Sequence, residues 1–191
     1  MSPRSAIQNE KMRSESINKI LDAAFKLFAK NGYESTSIAK IARAAGVSKG
    51  LMYNYFNSKE ALLESLVNGA VQDGERIIES MMGEGPSETL EKLFRWFFDE
   101  LRNNLERWKL ITDLTLKIEK YDFVKDLGRT KMKEFVGIMS GLLEKNGVSN
   151  PKEEAMIIAA LFDGIGIQYL LVLQDYPLDE MEKYLIDKYC K

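Results

Sequence analysis

Histidine is absent from all 191 residues, and cysteine occurs once, as Cys190. Without histidine no Ser-His-Asp triad, His-ligated metal site or Cys-His dyad can be assembled. No pair of carboxylates stands at a spacing suited to acid–base work, so catalysis is not expected, and neither is a metal or a cofactor. A single cysteine next to the C-terminus excludes an internal disulfide framework and fits a reducing cytoplasm. No secretory apolar core follows the opening MSPRSAIQNEKMRSES, which points to the same compartment. Period-two alternation is also missing over any convincing length, as are internal repeats and low-complexity tracts, so strands have no sequence support.

What remains is a chain with 45% hydrophobic and 29% charged residues, the proportions of a soluble globular protein. Its net charge of −2 is unevenly spread. Residues 1–60 hold ten Lys and Arg against five Asp and Glu, while the remainder holds 17 against 24. A basic first third on an acidic body suggests an anionic partner for the first third alone. Chance clustering of solvated charges gives the same asymmetry, so charge by itself decides little.

Every long segment repeats with helical period. Ile17, Leu21, Ala24, Phe25 and Phe28 form one stripe, and Asn31-Gly32 stops it. Ser35-Thr36-Ser37 offers N-caps for a short helix, IAKIARAA, that Gly46 ends. Ser48 caps a third helix running through Tyr55, and Asn57-Ser58 a long amphipathic fourth. Further helices are expected after GEGPS at 83–87, over roughly 106–119 and 122–145, after Asn150-Pro151, and after Pro177. The expected fold is all-α with about nine helices. An N-terminal three-helix unit is joined by the long fourth helix to a C-terminal bundle, with a boundary at 58/59 between domains 1–58 and 59–191.

The second and third helices, with a glycine turn between them, form a helix-turn-helix pattern. Ala42 is small where the helices cross, and Gly46 suits a turn that needs positive φ. Ile41, Ala45, Val47 and Met52 supply apolar positions around the crossing. The third helix then displays Lys49, Gly50, Tyr53, Asn54 and Tyr55, short polar and aromatic groups that suit phosphates and base edges in a major groove. Its capped N-terminus is also suited to face a phosphate. The tyrosines and Phe56 could instead simply pack a small core.

The stretch TSIAKIARAAGVSKGLMYNYFNSKEAL resembles the DNA-binding region of the tetracycline-repressor (TetR) family of transcriptional regulators. The resemblance in motif covers roughly residues 13–66; beyond it only length, helix count and order agree. Met52 stands where leucine is more usual, a swap that conserves volume. The resemblance implies a homodimer that sets its two third helices in successive major grooves of one double-stranded operator. Half-sites then lie about 34–36 Å apart. It further implies that Thr36, Ser37, Ser48, Tyr53, Tyr55 and Lys59 hold phosphates, with Lys49, Gly50 and Asn54 nearest the bases. Arg4, Lys11 and Arg13 precede or open the first helix, and are expected in a disordered tail more than on DNA.

In the C-terminal part, residues 155–173 are apolar nearly all round, broken by Asp163 and Gln168. Such a helix is buried on every face or spans a membrane; the mid-span Asp163 argues against the membrane. Small residues Ala155, Ala159 and Gly166 run along one side, and Ala160 and Gly164 along another. This helix and the last are therefore expected to form a subunit interface that includes Ala155, Ala159, Gly164, Gly166 and Tyr169. Phe97, Trp108, Phe123, Met132, Met139 and Phe162 are candidates for a cavity wall, although large apolar side chains in a bundle are more often core. By the resemblance, a small, largely apolar effector enters there, shifts the fourth helix and releases a repressor from its operator. Asp163 could pair with a cationic effector; capping or a bond across the interface is the simpler expectation. A helical enzyme or carrier with a helix-turn-helix-like start is the alternative, and an architectural DNA-binding protein without effector a third.

Overall fold

The computed structural model describes residues 6–83 and 85–190. Among them are nine α-helices and no strand: α1 (Ala6–Asn31), α2 (Ile38–Ala45), α3 (Lys49–Tyr55), α4 (Lys59–Met81), α5 (Pro86–Asn103), α6 (Leu105–Leu116), α7 (Asp122–Lys145), α8 (Pro151–Val172) and α9 (Leu178–Tyr189). Short 3-10 turns at Ile118–Lys120 and Leu173–Asp175 lie on either side of the α7–α8 pair. The chain divides into two compact units, Met1–Asp73 and Gly74–Lys191. The division falls inside α4, past Leu62 and Leu63, which are both fully buried.

The first unit closes around the α1 stripe. Ile20, Ala24 and Phe28 are buried with Ile41 of α2 and Met52 of α3. α1 starts at Ala6, well before the apolar period begins, so Lys11 and Arg13 stand on a helix and not in a tail; Arg4 lies outside the described residues. Residues 8–15 are all exposed, so no stripe announced this part; Gln, Glu, Lys, Met and Arg simply continue a helix that the core already nucleates. Gly32 at φ 79° ends α1, its N–H donating to the Phe28 carbonyl at 2.8 Å.

The second unit is built on α5, which buries Leu90, Leu93, Phe94, Phe97, Phe98 and Leu101 against α7, α8 and α9. Two arginines tie α5 to α9. Arg102 donates to Asp179 at 2.6 Å and also pairs with Glu182, and Arg95 reaches Glu182 at 3.3 Å. Tyr189 closes the other end, its hydroxyl donating to Glu154 at 2.6 Å while its carbonyl accepts from the Asn146 amide at 2.7 Å. Asn150 stands at the N-cap of α8 as expected. Its φ is +54° and its side chain caps nothing; its carbonyl accepts from the Glu154 N–H at 3.0 Å. Phe94, fully buried with the Phe162 and Tyr189 rings each 5.9 Å away, is a sharp test of this core. Phe94→Ala is expected to remove about 3–5 kcal/mol of stability. Urea unfolding measures it, and a loss below about 1 kcal/mol contradicts the packing described.

Candidate nucleic-acid interface

The turn between α2 and α3 is held by three local devices. Ser37 Oγ accepts from the Lys40 N–H at 3.3 Å and starts α2. Gly46 adopts φ 68°, and the Gly46 and Val47 N–H groups donate to the Arg43 and Ala42 carbonyls. Only a residue without a Cβ takes that conformation free of cost. Ser48 Oγ then accepts from the Leu51 N–H at 3.1 Å and starts α3. With Met52 buried beneath it, α3 is fixed in rotation by a single inward side chain.

The opposite face of α3 is what this arrangement presents. Lys49, Gly50, Tyr53 and Asn54 are exposed, and Tyr53 shows 47% of its surface. Among the described residues no side chain or carbonyl hydrogen-bonds the Tyr53 hydroxyl or the Asn54 amide. The Lys49 ammonium lies 5.9 Å from the Tyr53 ring. Tyr55 is half-buried at the end of the helix, with the Arg13 guanidinium 6.0 Å from its ring. A solvent-facing phenol, amide and ammonium with no duty inside the chain can donate to phosphate oxygens and base-edge acceptors.

Two expected contact residues carry duties inside the chain. Thr36 is 1% exposed, and its hydroxyl donates to the Gly32 carbonyl at 2.9 Å and the Leu27 carbonyl at 3.3 Å. Its side chain braces the α1–α2 corner and cannot reach a phosphate, which corrects the expectation. The Lys59 ammonium donates to the Tyr33 carbonyl at 2.9 Å and the Glu34 carbonyl at 3.3 Å, and sits 4.1 Å from the Tyr33 ring. It works first as a clamp of α4 onto the same corner. Burial, with Glu60 and Glu34 adding repulsion, pushes the Tyr33 phenol up to about 12, so it stays protonated beneath that lysine. Ser37 and Ser48 are exposed caps.

In the second unit, four of the six candidate cavity residues are packed together. Phe97 and Phe162 stack at 3.9 Å with 5° between their planes. Trp108 meets Phe97 edge-on at 5.6 Å, and Met139 is 1% exposed. The rings fill the space between them, so a ligand must part them to enter. Phe123 lies outside that cluster, its ring 6.4 Å from that of Tyr121. Met132 is exposed.

The expected interface residues divide in a way the sequence could not tell. Ala155, Ala159 and Gly166 face the protomer's own interior, correcting their assignment to a subunit contact. A Cβ on Gly166 would stand 3.2 Å from the Trp108 ring, so that glycine serves an internal crossing. Tyr169 is half-buried with its ring 6.4 Å from Tyr176. Gly164 faces open space, on a stripe with exposed Met156, Ile157, Ala160, Ile167 and Leu171. Leu171 alone leaves 76% of its surface bare. Asp163 stands on this exposed side with no partner among the described residues, and desolvation by its apolar neighbours holds its carboxyl above its ordinary value. Among the described residues α8 is the one helix long and apolar enough to cross a membrane.

Comparison with known proteins adds to this geometry. Residues 20–66 match the family described as bacterial regulatory proteins, tetR family. The HTH-type transcriptional regulator YerO of Bacillus subtilis is 35% identical over 95 residues, covering 48% of this chain and 33% of that protein. The chain thus spans only about a third of that relative's length. The fatty acid metabolism regulator protein of Bacillus subtilis is 29% identical over 140 residues, covering 72% of this chain and 71% of that protein. Among solved structures, the fatty acid degradation regulator FadR from Bacillus halodurans superposes with TM-score 0.73 at 20% identity, over 99% of this chain and 97% of that one. That likeness is one of fold.

Proposed function

We propose that this chain, which belongs to the tetR family of bacterial regulatory proteins, is a ligand-responsive transcriptional repressor that binds operator DNA as a homodimer in the cytoplasm. The observation that carries this reading is the outer face of α3. Lys49, Gly50, Tyr53 and Asn54 stand exposed on a helix whose rotation is fixed from beneath, in a segment matching the family. Tyr53, Tyr55, Ser37 and Ser48 address phosphates, and Lys49, Gly50 and Asn54 the bases. The third donor of Lys59 remains for a phosphate once its two carbonyl bonds are made.

The uncovered aliphatic stripe of α8 supports the dimer. A monomer seldom leaves so many large aliphatics in one row on solvent, and a second copy buries them by two-fold symmetry. The contact residues of this dimer are Met156, Ile157, Ala160, Gly164, Ile167 and Leu171, together with α9.

An apolar effector entering the Phe97–Trp108–Phe162 cluster would have to separate stacked rings. That strain is relieved by moving the helices that carry them. α4 crosses from one compact unit into the other, so it is the element through which such a movement reaches α3. A coupling of about 1–3 kcal/mol changes operator affinity 5- to 150-fold. The match to a relative named for fatty acid metabolism is longer than the whole first unit and therefore extends into the second, which makes an acyl chain the first effector class to test.

Band-shift titration against duplexes taken from either side of the chain's own coding region tests the regulator. Saturable retardation that survives excess unrelated DNA is the expected result; equal competition by unrelated DNA overturns it. For the effector, a fatty acid or acyl thioester at a hundred times its dissociation constant raises stability by about 2.7 kcal/mol. It should appear as an upward melting shift together with release of the duplex. A melting temperature unmoved by any acyl compound removes that class.

A further inference from the structure

We infer that Arg13, on the exposed first half of α1, is an additional phosphate contact that brings α1 itself onto the DNA. This rests on the operator-binding reading above and extends the interface beyond the matched segment, which begins at residue 20. Arg13 continues the inner stripe of α1 past the end of the core: Arg13, Ile17, Ile20, Ala24 and Phe28 recur at helical spacing along one face. The last three are buried, Ile17 is partly covered, and Arg13 is exposed. The stripe therefore turns the arginine toward the flank of the three-helix unit on which Tyr55 stands, where it stays open to solvent.

At that flank stands Tyr55, the end of α3, with its ring 6.0 Å from the guanidinium carbon. A guanidinium about 6 Å from an aromatic face is drawn toward it by the ring quadrupole, while its N–H edge stays free. Among the described residues Arg13 makes no hydrogen bond and no ion pair. The contrast inside the chain is clear, since Arg95 and Arg102 are held by Glu91, Asp99, Asp179 and Glu182. An oriented guanidinium with free donors, beside the helix that presents Lys49 and Asn54, fits a backbone phosphate flanking the bases that α3 reads. Tyr55 serves as the platform.

The test uses the full-length protein and measures duplex affinity against salt. Each phosphate neutralised contributes about 0.9 to the slope of log K on log salt. Arg13→Gln is expected to lower that slope by about one per bound protomer, with an affinity loss of about tenfold at 0.1 M salt, alike on operator and scrambled duplex. Arg13→Met keeps an unbranched apolar stem over Tyr55 while removing the charge, and is expected to lower the slope equally with an unchanged melting temperature. Arg13→Lys keeps the slope but loses the fork, and so recovers only part of the affinity. An unchanged slope in both Arg13→Gln and Arg13→Met overturns the contact, whatever happens to affinity or melting. Because the slope can be read on any duplex the wild type binds, a wild type without sequence preference counts against the regulator reading instead.

Discussion

Replacing Tyr53 and Asn54 together by alanine should lower operator affinity about 100-fold or more while leaving the fold intact. One good base contact is worth about 1–3 kcal/mol and a phosphate contact somewhat less, and each is made twice in a symmetric dimer. Both side chains are exposed, and neither is engaged by a hydrogen bond among the described residues. Unfolding free energy should therefore change by no more than about 0.5 kcal/mol. The two losses should differ in kind. Asn54→Ala lowers the preference for operator over scrambled DNA, whereas Tyr53→Ala weakens both alike. Fluorescence anisotropy on the two duplexes, beside a urea melt, measures all of this. Unaltered affinity in the double variant would mean that the exposed face of α3 is not the reading surface.

Gly164→Leu should separate the subunits without harming the protomer. A Cβ at this position meets nothing within 4 Å in its own chain. Leucine also gains about 0.8–1.0 kcal/mol of helix propensity over glycine, so the isolated chain should be as stable as wild type or more so. In the proposed dimer the same side chain stands where two α8 helices approach closely, and sedimentation should show monomers at concentrations where wild type pairs. Operator binding should fall with it, because paired half-sites require paired readers. Gly166→Leu provides the contrast two residues away. There the added atoms run into the Trp108 ring from 3.2 Å, so the loss appears as about 1–3 kcal/mol of overpacking strain in the protomer itself. A Gly164→Leu protein that sediments as a normal dimer removes α8 from the interface.

These two glycines also show where the sequence stops being informative. Both lie in a helix that is apolar on nearly every side, so hydropathy carries no phase and cannot separate the face turned inward from the one left bare. Burial in the structure supplies that phase, sending Ala155, Ala159 and Gly166 inward and Met156, Ile157, Ile167 and Leu171 outward. In the first unit the opposite holds. Ser37, Gly46 and Ser48 act through bonds to neighbours within a few residues, and their roles are therefore legible from local chemistry alone. The all-α architecture was legible for the same reason, with a stop at Gly32 and a start after Pro177 fixing those helix limits to within a residue or two.

Long-range partners were not legible. Thr36 resembles a surface cap until Leu27 and Gly32 are seen to take its hydroxyl. Lys59 resembles a free cation until Tyr33 and Glu34 are seen beneath it, 26 and 25 residues away in sequence. The first half of α1 has no apolar stripe to reveal it, so the sequence alone leaves Arg13 outside the helix.

Selection of bound duplexes from a random library by the purified full-length protein tests most directly that two α3 helices read one stretch of DNA. The account predicts enrichment of an inverted repeat whose half-sites lie about one helical turn apart, near 10 base pairs centre to centre. The repeat should lose its information content when Asn54 is replaced by alanine. A library that emerges without any enriched sequence, or with a single unrepeated site, contradicts it.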